Sequence, residues 1–359
     1  MGVYKSFLRP ILFRINPEKV HNDFIKIGSF LGKFYISKKL TKVLFSYENP
    51  RLFQEIEGIK FKNPIGLAAG FDKNAELLDI IGSVGFGFTE VGSITGNKCN
   101  GNPKPRLWRL PLDSALAVNY GLVNEGAKEI SKKFKGKKLE VITGINIAKT
   151  NNENTKGNGP ITDYLKAYSL LKSYGDYLTI NLSCPNTKEG HFFQKPPILN
   201  KLLKKLGKMQ KPVFLKISPD LTKDNLDQII LLCFKYNITG LIISNLKHDH
   251  NTLKTPKKIL KLTKGGISGI PTKEMSNDLI SYVYKKSKGK LIIIGVGGIF
   301  SAQDAYEKLK NGASLVQLIT GMIYEGPTLI KKINKGLIKL LNKDKFNNIS
   351  QTIGTNHIM

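Results

Sequence analysis

Tyr177-Leu178-Thr179-Ile180-Asn181-Leu182-Ser183-Cys184-Pro185-Asn186 is an apolar run that ends in a hydroxyl, a thiol and two carboxamides. Its first six residues offer no solvent face, as in a strand buried on both sides. Pro185 stops any regular element and biases Cys184 towards extended backbone, so the polar side chains splay from the strand's C-terminal end. By itself the segment fits a strand closing in a polar turn, with an inert buried cysteine, as well as it fits a site. The residues C-terminal to it decide the fold: an amphipathic helical pattern from 198 to 207, then another apolar run, Val213 to Ile217.

Working outward, the same unit recurs. Short apolar runs are found at Ile65 to Ala69, Gly87 to Gly92, Val141 to Ile147, Gly240 to Ser244, Leu291 to Val296 and Ser314 to Ile319. Helical patterns come after them near 74 to 83, 124 to 134, 160 to 173, 223 to 236, 273 to 286, 301 to 311 and 327 to 342. Eight strand-helix units predict a (β/α)8 TIM barrel, residues 46 to 343. A doubly wound sheet is the alternative, but no strand runs directly into a Gly-x-Gly-x-x-Gly helix start. Before the barrel, residues 53 to 62 alternate like a β-ribbon. The longer polar insertions, 94 to 118, 149 to 160, 185 to 198 and 246 to 271, all come after strands, the end where such barrels keep their active sites.

Residues 1 to 45 read as an N-terminal helical extension. Asn16-Pro17-Glu18 is an N-cap, a first-turn proline and an acid, and Val20, Phe24, Ile27 and Leu31 succeed them at helical spacing. Lys5, Arg9, Arg14, Lys19, Lys26 and Lys33 surround large apolar residues, so this segment either docks on its own domain or dips into a membrane interface. The polar, Asn-rich residues 344 to 359 are expected to be disordered. Cys99, Cys184 and Cys233 lack disulfide or metal-ligand spacing, which predicts a reducing compartment and no metal site. No apolar run approaches the roughly 18 residues of a bilayer span. The net charge of +29 raises the question of a polyanion partner. The lysines are scattered over nearly every helix instead of forming one stripe, so no nucleic-acid partner is expected.

The strand ends carry one kind of chemistry. Gly297, Gly298 and Gly321, ahead of helices, suit a phosphate. Lys73 and Lys216 suit an anion or a reduced ring bearing negative charge. The amides of Asn146, Asn181, Asn186 and Asn245 match a planar heterocycle with carbonyl and N–H groups. No His or Glu stands at a strand end, which leaves Cys184 as the candidate proton acceptor.

Four blocks in order, Ala68-Ala69-Gly70-Phe71-Asp72-Lys73, Gly85 to Ser93, Asn181 to Thr187 and Gly295-Val296-Gly297-Gly298-Ile299, resemble the signature blocks of the dihydroorotate dehydrogenase family. The resemblance spans Asn16 to Ile330 and implies FMN-dependent oxidation of dihydroorotate to orotate in pyrimidine biosynthesis. By that resemblance Ala69, Gly70, Lys73, Ser93, Asn146, Asn181, Lys216, Ser244, Gly269, Gly298, Ile319 and Thr320 hold FMN. Lys73, Asn119, Asn181, Asn186 and Asn245 hold the substrate, Cys184 takes the C5 proton, and Lys216 steadies the reduced flavin. The family's Asn three residues before Gly121 falls on Val118, and Asn119 is the substitute after a one-residue shift.

The Asn16 to His21 helix and Lys104 to Leu110 resemble the class 2 enzymes, which are peripheral on the cytoplasmic face of the membrane and reduce a quinone. His21 and Arg109 are then quinone-pocket candidates. Class 2 members usually carry serine as the base, and Cys184 is typical of soluble class 1 enzymes that use fumarate or NAD. A class 1-type activity and a non-catalytic basic binding protein on a barrel scaffold are the alternatives.

Overall fold

The computed structural model describes residues 3–152, 159–183, 186–187 and 192–357. At the N-terminus a π-helical turn, Tyr4–Leu8, runs into α1 (Arg9–Arg14), followed by α2 (Pro17–Gly32) and α3 (Tyr35–Phe45). The start of α2 is set by Asn16, whose Oδ1 accepts from the Glu18 and Lys19 amides at 3.0 and 3.1 Å. Pro17 at the first helical position has no N–H to satisfy. An antiparallel hairpin of β1 (Gln54–Ile56) and β2 (Ile59–Phe61) leads into β3 (Ile65–Leu67).

The chain continues through β4 (Phe88–Thr95), β5 (Leu107–Leu110), β6 (Ala115–Val118), α4 (Ala127–Phe134), β7 (Ile142–Ala148), α5 (Gly159–Leu171) and β8 (Tyr177–Asn181). Then come α6 (Pro196–Leu206), β9 (Val213–Ile217), α7 (Lys223–Lys235), β10 (Gly240–Ile243), α8 (Lys257–Leu260), β11 (Gly266–Gly269) and α9 (Lys273–Ser287). Last are β12 (Ile292–Val296), α10 (Ala302–Lys310), β13 (Leu315–Leu318), α11 (Thr320–Glu325) and α12 (Leu329–Lys343).

Eight strands close in the order β10-β12-β13-β3-β4-β7-β8-β9, with every neighbouring pair parallel. This is the (β/α)8 barrel read from the sequence, and the strands fall within a few residues of the expected runs. Outward side chains pack under the helices in one large apolar cluster. Inside, Phe61, Phe88, Tyr177, Phe214, Ile242, Ile294 and Leu315 plug the end opposite the site, and the hairpin closes it by contributing Phe61. The insertions after β4 and β10 supply β5, β6 and β11, which form a separate antiparallel sheet in the order β11-β6-β5.

One expectation fails here for a local reason. The helix expected at 74 to 83 does not form, and only a 3-10 turn, Ile81–Val84, is present. The buried Asp72 carboxylate accepts from the Glu76 and Leu77 amides, both at 2.9 Å, and pins the chain in a turn. The N-terminal extension lies against this segment. Gly28 and Gly32 of α2 sit so close to Leu77 and Asp79 that a Cβ on them would approach those side chains to 2.7 and 3.1 Å. The described tail residues, 344 to 357, also include a packed turn. Asn348 and Gln351 make a capping box around the turn Ile349–Thr352, whose terminal residues are buried. Arg51 donates to the Asn347 carbonyl at 3.0 Å and to that of Phe346, which fastens the tail to the entry of the barrel.

Candidate active site

A cavity of about 330 Å3 opens at the C-terminal ends of the barrel strands and continues under the N-terminal helices. Fifteen residues anticipated for the site form its wall: Ala69, Gly70, Lys73, Ser93, Asn181, Asn186, Lys216, Ser244, Asn245, Gly269, Gly298, Ile319 and Thr320 at the barrel end, with His21 and Arg109 at the helical end. Three do not. Cys184 lies outside the described residues. Asn146 is wholly buried below the cavity. Asn119 is not among the residues that line the cavity: Leu116 and Val118 do, and strand alternation turns the next residue to the other side. There the Asn119 Oδ1 accepts from Asn102 Nδ2 at 2.9 Å, and the same amide donates to the Asn186 carbonyl, so Asn119 props the loop that carries Asn186.

The amides at the mouth of β8 and β10 orient one another. Asn181 donates from Nδ2 to Ser93 Oγ at 2.9 Å, and its Oδ1 accepts from the Ser183 amide at 3.2 Å and from Asn245 Nδ2 at 3.3 Å. Asn186 Oδ1 accepts from the Gly266 amide at 3.2 Å, which ties this corner to β11. On the far side Ser268 and Thr320 share a hydroxyl hydrogen bond of 2.8 Å. Gly297 and Gly298 both have positive φ, and a Cβ on Gly298 would strike Lys273 at 2.4 Å, so this turn after β12 admits no side chain.

Two ammonium groups reach the same space from opposite sides. Burial pushes Lys216 below the ordinary lysine range, and the Glu90 carboxylate opposes that shift. Lys73 is lowered to about 8, mainly by burial, with the nearby Asp72 and Glu18 carboxylates working the other way. Its Nζ lies 2.9 Å from His21 Nε2 and 4.2 Å from the centre of the Tyr120 ring. His21 is pushed down to about 2 by burial and then by the Lys73 charge. A neutral imidazole therefore accepts from the ammonium, and this contact sits where the polar and apolar halves of the cavity meet.

The apolar half is lined by Tyr4, Leu12, Phe13, Val20 and Phe24. Its walls are fastened by charges that sequence reasoning did not pair. Arg106 donates to Glu18 Oε1 from Nε at 3.0 Å and from Nη2 at 2.7 Å, which joins the strand insertion to α2. Arg109 donates to the Ile15 carbonyl at 2.7 Å and lies 4.7 Å over the Phe13 ring. Among the described residues no helix is long and apolar enough to cross a membrane.

Sequence reasoning also passed over Glu90. It is fully buried in the barrel interior and accepts from Asn146, Thr179, Tyr177 and Gln317. The available signal was a carboxylate inside the otherwise uncharged run Phe88 to Ile94.

The family description "Dihydroorotate dehydrogenase" matches residues 51–341. A protein from Trichodesmium erythraeum (strain IMS101) named dihydroorotate dehydrogenase (quinone) is 38% identical over 377 residues, covering 99% of each chain. One of the same name from Christiangramia forsetii (strain DSM 17595 / CGMCC 1.15422 / KT0803) is 42% identical over 346 residues, covering 94% of this chain and 99% of its own. Among solved structures, the crystal structure of DHODH in complex with ferulenol from Eimeria tenella superposes with a TM-score of 0.83 at 31% identity, covering 95% of this chain and 96% of that one.

Proposed function

The chain belongs to the dihydroorotate dehydrogenase family, and we propose that it oxidises dihydroorotate to orotate in pyrimidine biosynthesis with FMN as resident cofactor and a quinone as electron acceptor. The observation that carries this reading is one continuous cavity, polar and cationic at the barrel mouth and apolar beneath α1 and α2.

The residues present fit FMN. Buried Asn146 Oδ1 has no partner among the described residues, the Gly297-Gly298 turn puts backbone without side chains at the cavity wall, and Lys216 brings an ammonium to the strand ends. Ala69, Gly70, Ser93, Asn146, Lys216 and Ser244 would hold the ring, with Gly269, Gly298, Ile319 and Thr320 towards the phosphate. Bound there, FMN supplies a planar ring able to accept a hydride. Lys73, Asn181, Asn186 and Asn245 bind the substrate's carboxylate and ring, each held in place by a hydrogen bond, Asn181 and Asn245 to one another, Asn186 to the Gly266 amide and Lys73 to His21. Cys184, next to Ser183 in sequence, takes the proton from C5. Lys216 stabilises the negative charge that develops beside it on reduction.

The apolar end, beyond Lys73 and His21, is where a quinone would be held to accept electrons. Phe30, Phe34, Ile36, Leu40, Val43 and Leu44 are exposed on and between α2 and α3 among lysines, which supports peripheral docking on an anionic cytoplasmic membrane face where a lipid-soluble quinone resides. The test is colour. Purified protein should absorb as a flavoprotein and bleach on anaerobic addition of dihydroorotate. Colourless protein that takes up no FMN, or a flavin that dihydroorotate leaves oxidised, would overturn the reading.

A further inference from the structure

The barrel interior has three levels. At the bottom is the apolar plug of Phe61, Phe88, Tyr177, Phe214, Ile242, Ile294 and Leu315. At the top is the cavity wall with Asn181 and Ser244. Between them lies a polar level of Glu90, Asn146, Thr179 and Gln317, in which every member is inaccessible to solvent. An ionised group in such a place is costly unless its lone pairs are filled. Glu90 Oε1 accepts from Asn146 Nδ2 at 2.7 Å, and Oε2 accepts from Thr179 Oγ1 at 3.1 Å, Gln317 Nε2 at 3.1 Å and Tyr177 Oη at 3.3 Å. It is also the acidic neighbour whose charge acts on Lys216.

A carboxylate only accepts. Asn146 must therefore offer its NH2 to Glu90, and its carbonyl oxygen is left over. That oxygen is buried and has no partner among the described residues. A buried acceptor left open in this way costs about 1–3 kcal/mol unless a ligand completes it. We infer that Glu90 is a positioning residue for the cofactor: it fixes the Asn146 amide with the oxygen turned out as an acceptor for a ring N–H. This rests on the flavin reading above and concerns a residue that does not line the cavity.

The test compares Glu90→Gln with the double variant Glu90→Gln/Asn146→Asp, measuring FMN dissociation constant, the visible spectrum of bound FMN and the melting temperature. A glutamine at 90 can face Asn146 with either nitrogen or oxygen and carries no charge. The FMN Kd is expected to rise at least tenfold and the flavin band to shift. In the double variant the amide donates to an aspartate at 146, whose second oxygen again faces outward, and the negative charge returns to the level. Affinity and spectrum are expected to recover. A wild-type Kd and spectrum in Glu90→Gln, or a loss that the double variant does not restore, would overturn the inference. Should Glu90→Gln fail to fold, Asn146→Leu decides, since it removes the presented oxygen and leaves Glu90 its other three donors; wild-type FMN affinity there would overturn it. Wild-type protein that binds no FMN would instead refute the flavin reading itself.

Discussion

Replacing Glu18 by alanine should release α2 from the barrel while leaving the barrel folded. Glu18 and Arg106 are 10% and 9% exposed, so water reaches their contact poorly, and Arg106 spends two of its donors on the one carboxylate oxygen. Removing one partner of a buried pair costs about 3 kcal/mol or more, because the remaining charge stays buried without its counter-ion. Arg106 keeps the Asn100 and Asn102 carbonyls at 2.9 and 3.1 Å, which argues for the lower end of that range. If the loss falls on the docking of α2 alone, about 3 kcal/mol multiplies the undocked population by roughly 150. If it falls on global unfolding, an entropy of about 2.1 cal/mol/K per residue makes the same loss a fall of about 4 °C in Tm.

Hydrogen exchange separates the two outcomes: α2 amides should lose protection by about two orders of magnitude with those of β7 to β9 unchanged. In stopped flow well below the Lys73 pKa of about 8, where that ammonium keeps its charge without Glu18, bleaching by dihydroorotate should slow much less than reoxidation by quinone. Adding Arg106→Met to Glu18→Ala should restore part of the protection, since the stranded charge is then gone. Unchanged exchange in α2, or equal loss in α2 and the barrel strands, would refute the idea that this ion pair holds the apolar half of the cavity.

Other consequences are measurable with the same protein. Lys73 is protonated below about 8 and loses its charge as pH rises through that value, so kcat/KM for dihydroorotate should fall on the alkaline side with an apparent pKa near 8; Lys73→Arg should move that limb beyond the measurable range, and a flat profile from pH 7 to 10 would contradict the assignment. A thiol ionises at about 8.5, far below a serine hydroxyl, so Cys184→Ser should shift the pH optimum of flavin reduction upward, and an unmoved profile would remove Cys184 from the base role. Phe30 and Ile36 are largely exposed, and Phe30→Asp/Ile36→Asp should weaken binding to anionic vesicles by at least tenfold at roughly 1.5–3 kcal/mol per apolar side chain, with bleaching by dihydroorotate unaffected; wild-type vesicle binding would reject this face as the membrane contact.

How much of this was legible in the sequence depends on range. The barrel strands were readable because each is a short uncharged apolar run buried on both faces, and the residues at their ends, such as Lys216, Asn181 and Asn245, are delivered to one cavity by topology alone. The segment from 74 to 83 misled because Ala75, Leu77, Leu78, Ile80 and Ile81 are indeed buried, yet under the N-terminal helices and through a turn pinned by Asp72. The side to which Asn119 turns depends on one position of strand alternation, a register that only the pairing of β6 with β5 and β11 establishes. The Glu18-Arg106 pair joins residues 88 apart, and the hub at Glu90 gathers donors from three other strands. Neither leaves a periodic trace.

The most direct measurement starts from FMN-loaded protein bleached anaerobically by dihydroorotate and divides it among a soluble quinone, fumarate and NAD. The oxidised flavin band should return with quinone and with neither of the other two. Rapid reoxidation by fumarate or NAD, with no response to quinone, would rule out quinone as the acceptor.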